Sequence, residues 1–255
     1  MDLHLPTQGL ESYKSASQRA RISSESWASR ELYCPRCTAN RLDQLPGNTP
    51  VIDFRCPHCE SGYQLKSGAS AFHSRLTDGA YAQMHAAILH GRTPNLFLLH
   101  YQLNPLTVSS LTFIPDFAFT LSALERRKPL AATARRAGWI GCNILLNRIP
   151  TDARILLVKD SCPVPAVEAR RAFRKLKPLA SLKAEKRGWT LDVLNAVRSL
   201  NKREFSLAEI YSLDSSLARL HPRNSHIRPK IRQQLQVLRD LGLLIFLGDG
   251  SYLIT

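Results

Sequence analysis

Two Cys-x-x-Cys pairs constrain this chain more than any other feature. Cys34-Pro35-Arg36-Cys37 and Cys56-Pro57-His58-Cys59 stand eighteen residues apart, a spacing typical of four-cysteine zinc sites. A two-residue gap lets both thiolates of one knuckle reach one tetrahedral ion, with Zn–S bonds of about 2.3 Å. Two knuckles fill all four positions and leave none for water. The spacing therefore predicts a structural Zn²⁺ that folds the protein and takes no part in its chemistry. The competing reading is two disulfides or four unrelated thiols. Met1 to Ser15 carries no apolar stretch of the signal-peptide kind, so the expected location is the cytoplasm, where disulfides are rare. Cys142 and Cys162 have no ligand spacing and read as ordinary buried or loop thiols.

Charge narrows the partner. Lysine and arginine number 35 against 20 acidic residues, a net charge of +15. No apolar run approaches the ~20 residues of a membrane-spanning helix, so no membrane partner is expected. A polyanion is the default partner for such an excess, and nucleic acid is the commonest. The alternative is a charge that serves only solubility.

Periodicity divides the chain into a mixed α/β part and a helical part. The first thirty residues have helical spacing. Val51–Arg55 and Tyr63–Lys66 read as strands flanking the second knuckle, Asp78–Gly91 as a helix, and Asn95–Leu99, Val108–Ile114 and Ile155–Val158 as further strands. Arg170, Arg171, Arg174, Lys175 and Lys177 crowd a basic helix that leads into a linker. Beyond it, Trp189–Leu200 forms a first helix, and Ser206 to Glu209 opens a second with capping-box spacing. Asn224 or Ser225 caps a third that runs to about Leu241, and a hairpin turns at Gly248-Asp249-Gly250. Three helices and a hairpin in so few residues predict a winged helix. On the third helix Ile227, Ile231, Leu235, Leu238 and Gly242 share the inward stripe. His226, Arg232, Gln233 and Gln236 take the opposite face with Arg228 beside them, side-chain types that reach phosphates and purine edges. A solvated face on a protein-binding winged helix is the alternative.

Side chains alternate along strands. If the strands flanking the second knuckle are neighbours, Asp53, Gln64 and Lys66 converge opposite the apolar set. That layout suits a metal-dependent phosphodiesterase: Asp53, the Gln64 amide oxygen and the Leu65 carbonyl hold Mg²⁺, and Lys66 positions the attacking water. Polar residues alternate on many strands, so the spacing alone is a weak signal and an ordinary solvated strand face is the competing reading.

Blocks along nearly the whole chain resemble the DpnI restriction endonucleases. They include Tyr13-Lys14-Ser15, Ser17 to Ile22, both knuckles, Asp53-Phe54, Asp78 to Ala82, Arg127 to Leu130 with Thr133 to Ile144, Arg187 to Thr190, and His226-Ile227 with Lys230 to Gln236. The resemblance implies a PD-(D/E)xK nuclease core with an inserted four-cysteine zinc site over residues 1–182. It also implies a mainly α winged-helix domain over 183–255. It implies a type II endonuclease that cuts double-stranded DNA at GATC sites containing N6-methyladenine, with catalytic Mg²⁺, as a monomer without an obligate protein partner. Asp53 and Lys66 match the family's catalytic aspartate and lysine. Gln64 stands where the family has an acid. An active enzyme that tolerates Gln64, a substitute carboxylate such as Glu60, and a reader that binds without cutting all follow from that departure. Arg135, Arg136 and Trp139 fall in the most specific block. Trp139 is the candidate wall for the methyl group, which gains about 0.8 kcal/mol per buried carbon on an apolar surface; an ordinary core tryptophan is its other reading. His226, Arg228, Arg232 and Gln233 are the expected winged-helix contacts to DNA. A protein-binding zinc module with a basic tail is the third reading.

Overall fold

Runs of aromatic and branched aliphatic residues become strands here wherever short polar or Gly/Pro segments break them. The computed structural model describes residues 1–47 and 49–255. In chain order the elements begin with α1 (Ala16–Glu31), β1 (Asp43–Gln44), β2 (Phe54–Arg55), β3 (Gly62–Gly68), β4 (Arg75–Ala80) and α2 (Tyr81–Leu89). Then come β5 (Asn95–Leu103), β6 (Leu106–Ile114), β7 (Leu124–Arg126), β8 (Gly141–Leu145), β9 (Ile155–Lys159), β10 (Cys162–Pro163) and α3 (Ala166–Leu176). The C-terminal part holds α4 (Ala184–Ser199), β11 (Glu204–Ser206), α5 (Leu207–Tyr211), α6 (Asp214–Leu220), α7 (Ile227–Asp240), β12 (Leu244–Gly248) and β13 (Ser251–Ile254). No helix among the described residues is long and apolar enough to cross a membrane.

Two compact units form, each from discontinuous stretches of chain. The first comprises residues 1–73, 94–116 and 152–174. Its sheet runs β1-β2-β3-β5-β6-β9-β10. Strands β3 and β5 are parallel, and every other neighbouring pair is antiparallel. A parallel pair needs a long crossover, and the chain supplies it by leaving for the second unit over residues 74–93. The core is a chain of rings: Tyr63 stacks on Phe97 at 5.1 Å, Phe97 meets Phe113 at 5.6 Å, and Phe113 meets Phe173 of α3 at 6.0 Å. Helix α1 is tied to β3 by the Ser24 and Ser67 hydroxyls, 2.9 Å apart.

The second unit comprises residues 74–93, 117–151 and 175–255. It contains the small antiparallel sheet β4-β8-β7 and the sheet β11-β13-β12 that forms the wing. Ser206 and Glu209 cap α5 reciprocally, backbone to side chain in both directions. Helix α7 buries Ile231, Leu235 and Leu238 against α4 and the wing. Beside them the fully buried Thr190 hydroxyl and Gln234 amide oxygen bond each other at 2.8 Å. Asp192, also buried, accepts from the Ser122 hydroxyl at 2.6 Å and pairs with His221 Nε2 at 2.9 Å. The His221 ring stacks on Trp189. Thus residues 117–151 and the C-terminal helices share one hydrogen-bonded core.

The mixed α/β organisation with a C-terminal winged helix is the predicted one, but several boundaries differ. Helical spacing in the first thirty residues yields a helix only from Ala16. The predicted strand Val51–Arg55 shortens to Phe54–Arg55, because Val51 has a positive φ of 74°. The helix expected from Asp78 begins at Tyr81; Arg75–Ala80 pairs with β8 instead, since tertiary partners outweigh a weak capping signal. The first winged-helix helix starts at Ala184, before Trp189, and α6 follows α5 where a single helix was expected. On α7 the inward stripe is Ile231, Gln234, Leu235 and Leu238. Ile227 is only half-buried and Gly242 is exposed beyond the helix end.

Candidate nuclease site and nucleic-acid face

The four knuckle cysteines converge. Cys34 and Cys59 sulfurs lie 3.7 Å apart, Cys37 and Cys56 sulfurs 3.5 Å, and all four fall within 4.8 Å of one another. Four sulfurs about 2.3 Å from a central Zn²⁺ would stand about 3.8 Å apart, so the thiols fit a tetrahedral ion. Backbone N–H groups of Ala39, His58 and Cys59 point at the sulfurs of Cys37 and Cys56, which favours thiolates. Burial raises the Cys34 thiol far above its ordinary value. Burial also acts to raise Cys59, but hydrogen bonds from Ser61 and its cysteine neighbours outweigh it and hold that thiol at about 7. Arg170 reaches across from α3: its Nε donates to the Cys34 carbonyl at 3.2 Å and its Nη2 to the Ala39 carbonyl at 2.9 Å. Its guanidinium also lies over the Tyr33 ring. Arg36, inside the first knuckle, bonds the Asn95 amide oxygen and Asp116. The basic run that looked like a helix leading to a linker thus contributes a clamp on the metal site, which no local spacing announces. Cys142 is buried and Cys162 exposed, outside the cluster.

The second knuckle is the turn between β2 and β3, whose register pairs Phe54 with Tyr63 and Arg55 with Gly62. Phe54 and Tyr63 are fully buried, so alternation puts Asp53, Gln64 and Lys66 on the other face. Asp53 sits just before β2. Its N–H donates to the Tyr63 carbonyl at 2.8 Å, and its Oδ2 accepts the Leu65 N–H at 2.7 Å. The carboxylate is thereby clamped to the strand that carries Gln64 and Lys66, all three being half-buried. Burial raises the Asp53 pKa; the Leu65 hydrogen bond opposes it, the negative charge of Glu25 adds to it, and Arg21 and Lys66 oppose it. The donors beside Asp53 are oxygens, the chemistry Mg²⁺ takes. Glu60, weighed as a substitute acid, occupies the knuckle turn with a φ of 55°, exposed.

The outward face of α7 carries His226, Arg228, Arg232, Gln233 and Gln236, all exposed. With Tyr211 and Pro229, four of these (Arg228, Arg232, Gln233 and Gln236) line an open groove. Arg228 lies over the Tyr211 ring and bonds Asp214 at 2.9 Å. Arg135, Arg136 and Trp139 lie in the β7–β8 connection of the second unit. Trp139 is half-buried under the Arg136 guanidinium, 4.7 Å from its centroid. Its ring lies where a Cβ on Gly141 would come within 2.8 Å, which explains glycine there.

Residues 1–182 match the Dam-replacing family, and residues 185–253 match the Dam-replacing HTH domain. The chain belongs to the Dam-replacing family. This Dam-replacing protein is thus a member of a restriction-endonuclease family, with a helix-turn-helix domain for DNA and a four-cysteine cluster that suits a metal. The features that sequence reasoning missed, Arg170, Arg21 and Glu25, act from helices remote in sequence.

Proposed function

We propose that this chain is a type II, methylation-dependent endonuclease that hydrolyses duplex DNA at GATC sites containing N6-methyladenine. The reading assigns chemistry to residues 1–182, a DNA-binding winged helix to 183–255, and a single subunit in the cytoplasm as the working form. Zn²⁺ at Cys34, Cys37, Cys56 and Cys59 is structural. The observation that carries the proposal is the Leu65 N–H bond that clamps Asp53 to the strand of Gln64 and Lys66. Asp53, the Leu65 carbonyl and the Gln64 amide oxygen are the groups that would hold Mg²⁺. A bound ion would supply Lewis-acid polarisation of the scissile phosphate and offset its developing charge. Asp53 would hold the cation against the strand, and the Lys66 ammonium orients a water on the side away from the leaving oxygen. The water oxygen forms a bond to phosphorus and gives up a proton to solvent, one ester P–O bond breaks, and the departing oxygen takes a proton from solvent. On α7, Arg228 and Arg232 meet phosphates or guanine, His226 meets phosphates, and Gln233 meets base edges, with Trp139 as apolar wall for the methyl and Arg135 and Arg136 for the backbone beside it.

One observation favours a second reading. Gln64 removes a full negative charge from the cation's ligands, and Mg²⁺ prefers carboxylates, which suits a methyl-adenine reader without cutting activity. Two plasmids, identical except for adenine methylation at GATC, separate the two readings. Metal-dependent cutting of the methylated plasmid alone, lost in Asp53→Ala, supports the enzyme. Tight binding of methylated DNA with no cutting makes it a reader.

A further inference from the structure

We infer that Tyr63 is a positioning residue that joins the cysteine site to the Asp53 face of the sheet, so that filling the cysteines with Zn²⁺ sets the geometry of the divalent-cation site. The inference deepens the metal-dependent reading above and rests on it. Tyr63 is the second residue of β3, and its two ends serve two sites. Its hydroxyl lies 2.9 Å from the Cys34 sulfur, and its carbonyl accepts the Asp53 N–H at 2.8 Å. A metal-bound thiolate carries no proton, so in the zinc-loaded protein the hydroxyl is the donor and the bond is charge-assisted. Between the two ends stands a rigid ring, fully buried and stacked on Phe97. A close-packed interior transmits displacement and does not absorb it, so the position of the Cys34 sulfur reaches the backbone of β3. A second tie runs beside the first. Arg36, inside the first knuckle, donates to the buried Asn95 amide oxygen at 3.0 Å, and Asn95 Nδ2 donates to the Gly62 carbonyl at 2.9 Å. The first knuckle thus holds Gly62 and Tyr63, where β3 begins, at two points. Asp53 hangs from the same stretch, bonded to the Tyr63 carbonyl on one side of Gln64 and to the Leu65 N–H on the other. The cysteine site and the Asp53 carboxylate therefore share one support, and by linkage each metal favours the other.

The test takes two readings on the full chain without DNA: the thiolate-to-metal absorption of Co²⁺ in the cysteine site, and Mn²⁺ binding to the zinc-loaded chain by paramagnetic resonance. Tyr63→Phe keeps the ring and the carbonyl and removes only the hydroxyl. Losing a donor to the ligand sulfur is expected to move the cobalt band to lower energy, and Mn²⁺ affinity is expected to fall at least about fivefold. Tyr33→Phe is the control, because the buried Tyr33 hydroxyl beside Cys34 makes no hydrogen bond among the described residues; both of its readings should stay native. A native cobalt band in Tyr63→Phe overturns the inference. So does a shifted band with native Mn²⁺ affinity, since the hydroxyl would then serve the cysteine site alone. Equal Mn²⁺ losses in Tyr63→Phe and Tyr33→Phe also overturn it, because a loosened knuckle would be the cause. Should Tyr63→Phe fail to fold, Asn95→Asp, which keeps the acceptor for Arg36 and loses the donor to Gly62, takes its place. Weaker Mn²⁺ with a native cobalt band is expected there, and native affinity overturns the inference. Mn²⁺ binding that is lost in Asp53→Ala and native in Tyr63→Phe removes this inference and leaves the metal-dependent reading standing. Unchanged binding in Asp53→Ala removes both.

Discussion

Replacing Arg170 with alanine tests how the cysteine site is supported. The side chain gives two charged hydrogen bonds, to the carbonyls of Cys34 and Ala39, and covers the Tyr33 ring. Hydrogen bonds to a charged group are worth about 1.5–3 kcal/mol each when one partner is removed. Arg170 is only half-buried, so the lower end applies, and the ring contact adds about 0.5 kcal/mol. The expected loss is about 3 kcal/mol in the unit that carries the cysteines. For a unit of this size each kcal/mol shifts Tm by about 4 °C, which gives about 12 °C by differential scanning calorimetry. The knuckle carbonyls also orient the sulfurs, so a colorimetric chelator should extract Zn²⁺ faster from Arg170→Ala than from native protein. Exposed Arg171 in the same helix is the control, because Arg171→Ala removes the same charge and no knuckle contact. Equal Tm and equal zinc release in the two variants would refute the clamp.

Three further outcomes follow from the same structure. Thr190→Val or Gln234→Leu alone strands one buried polar partner and should cost about 1–3 kcal/mol, while the double variant should recover much of it; additive losses in a denaturant double-mutant cycle would show that the pair is not coupled. The raised Asp53 pKa means the native metal-free state holds that proton more tightly than the unfolded chain, so stability falls as pH rises from the ordinary value of 3.8 through the higher folded value. Asp53→Asn should therefore raise Tm at pH 7 and lose that advantage as pH drops toward 3.8, whereas a lower Tm at pH 7 would contradict the sign. On the winged helix, Arg232→Ala should weaken binding to all duplexes and reduce the salt slope by about 1, while Gln233→Ala should mainly erase sequence preference; the opposite pattern in salt-series binding isotherms would exchange their roles.

Features whose physics is local were legible in the chain alone. Cys-x-x-Cys spacing determines which thiols reach one ion, Ser206 with Glu209 caps its helix, and alternation sets Asp53, Gln64 and Lys66 on one strand face. The α7 stripe was readable for the same reason, except that Gln234 is buried: a polar residue enters the core only when a remote partner satisfies it, here the Thr190 hydroxyl, which donates to the Gln234 amide oxygen. The remaining features depend on residues far apart in the chain. Segments 74–93 and 117–151 join the helical unit because β4 pairs with β8 and Ser122 bonds Asp192, pairings that no window of sequence contains. Asp78–Ala80 becomes strand for that reason, against its own capping signal. Arg170 on the cysteine knuckle is of the same kind: it is an ordinary charged helix residue until packing brings the Cys34 and Ala39 carbonyls within its reach.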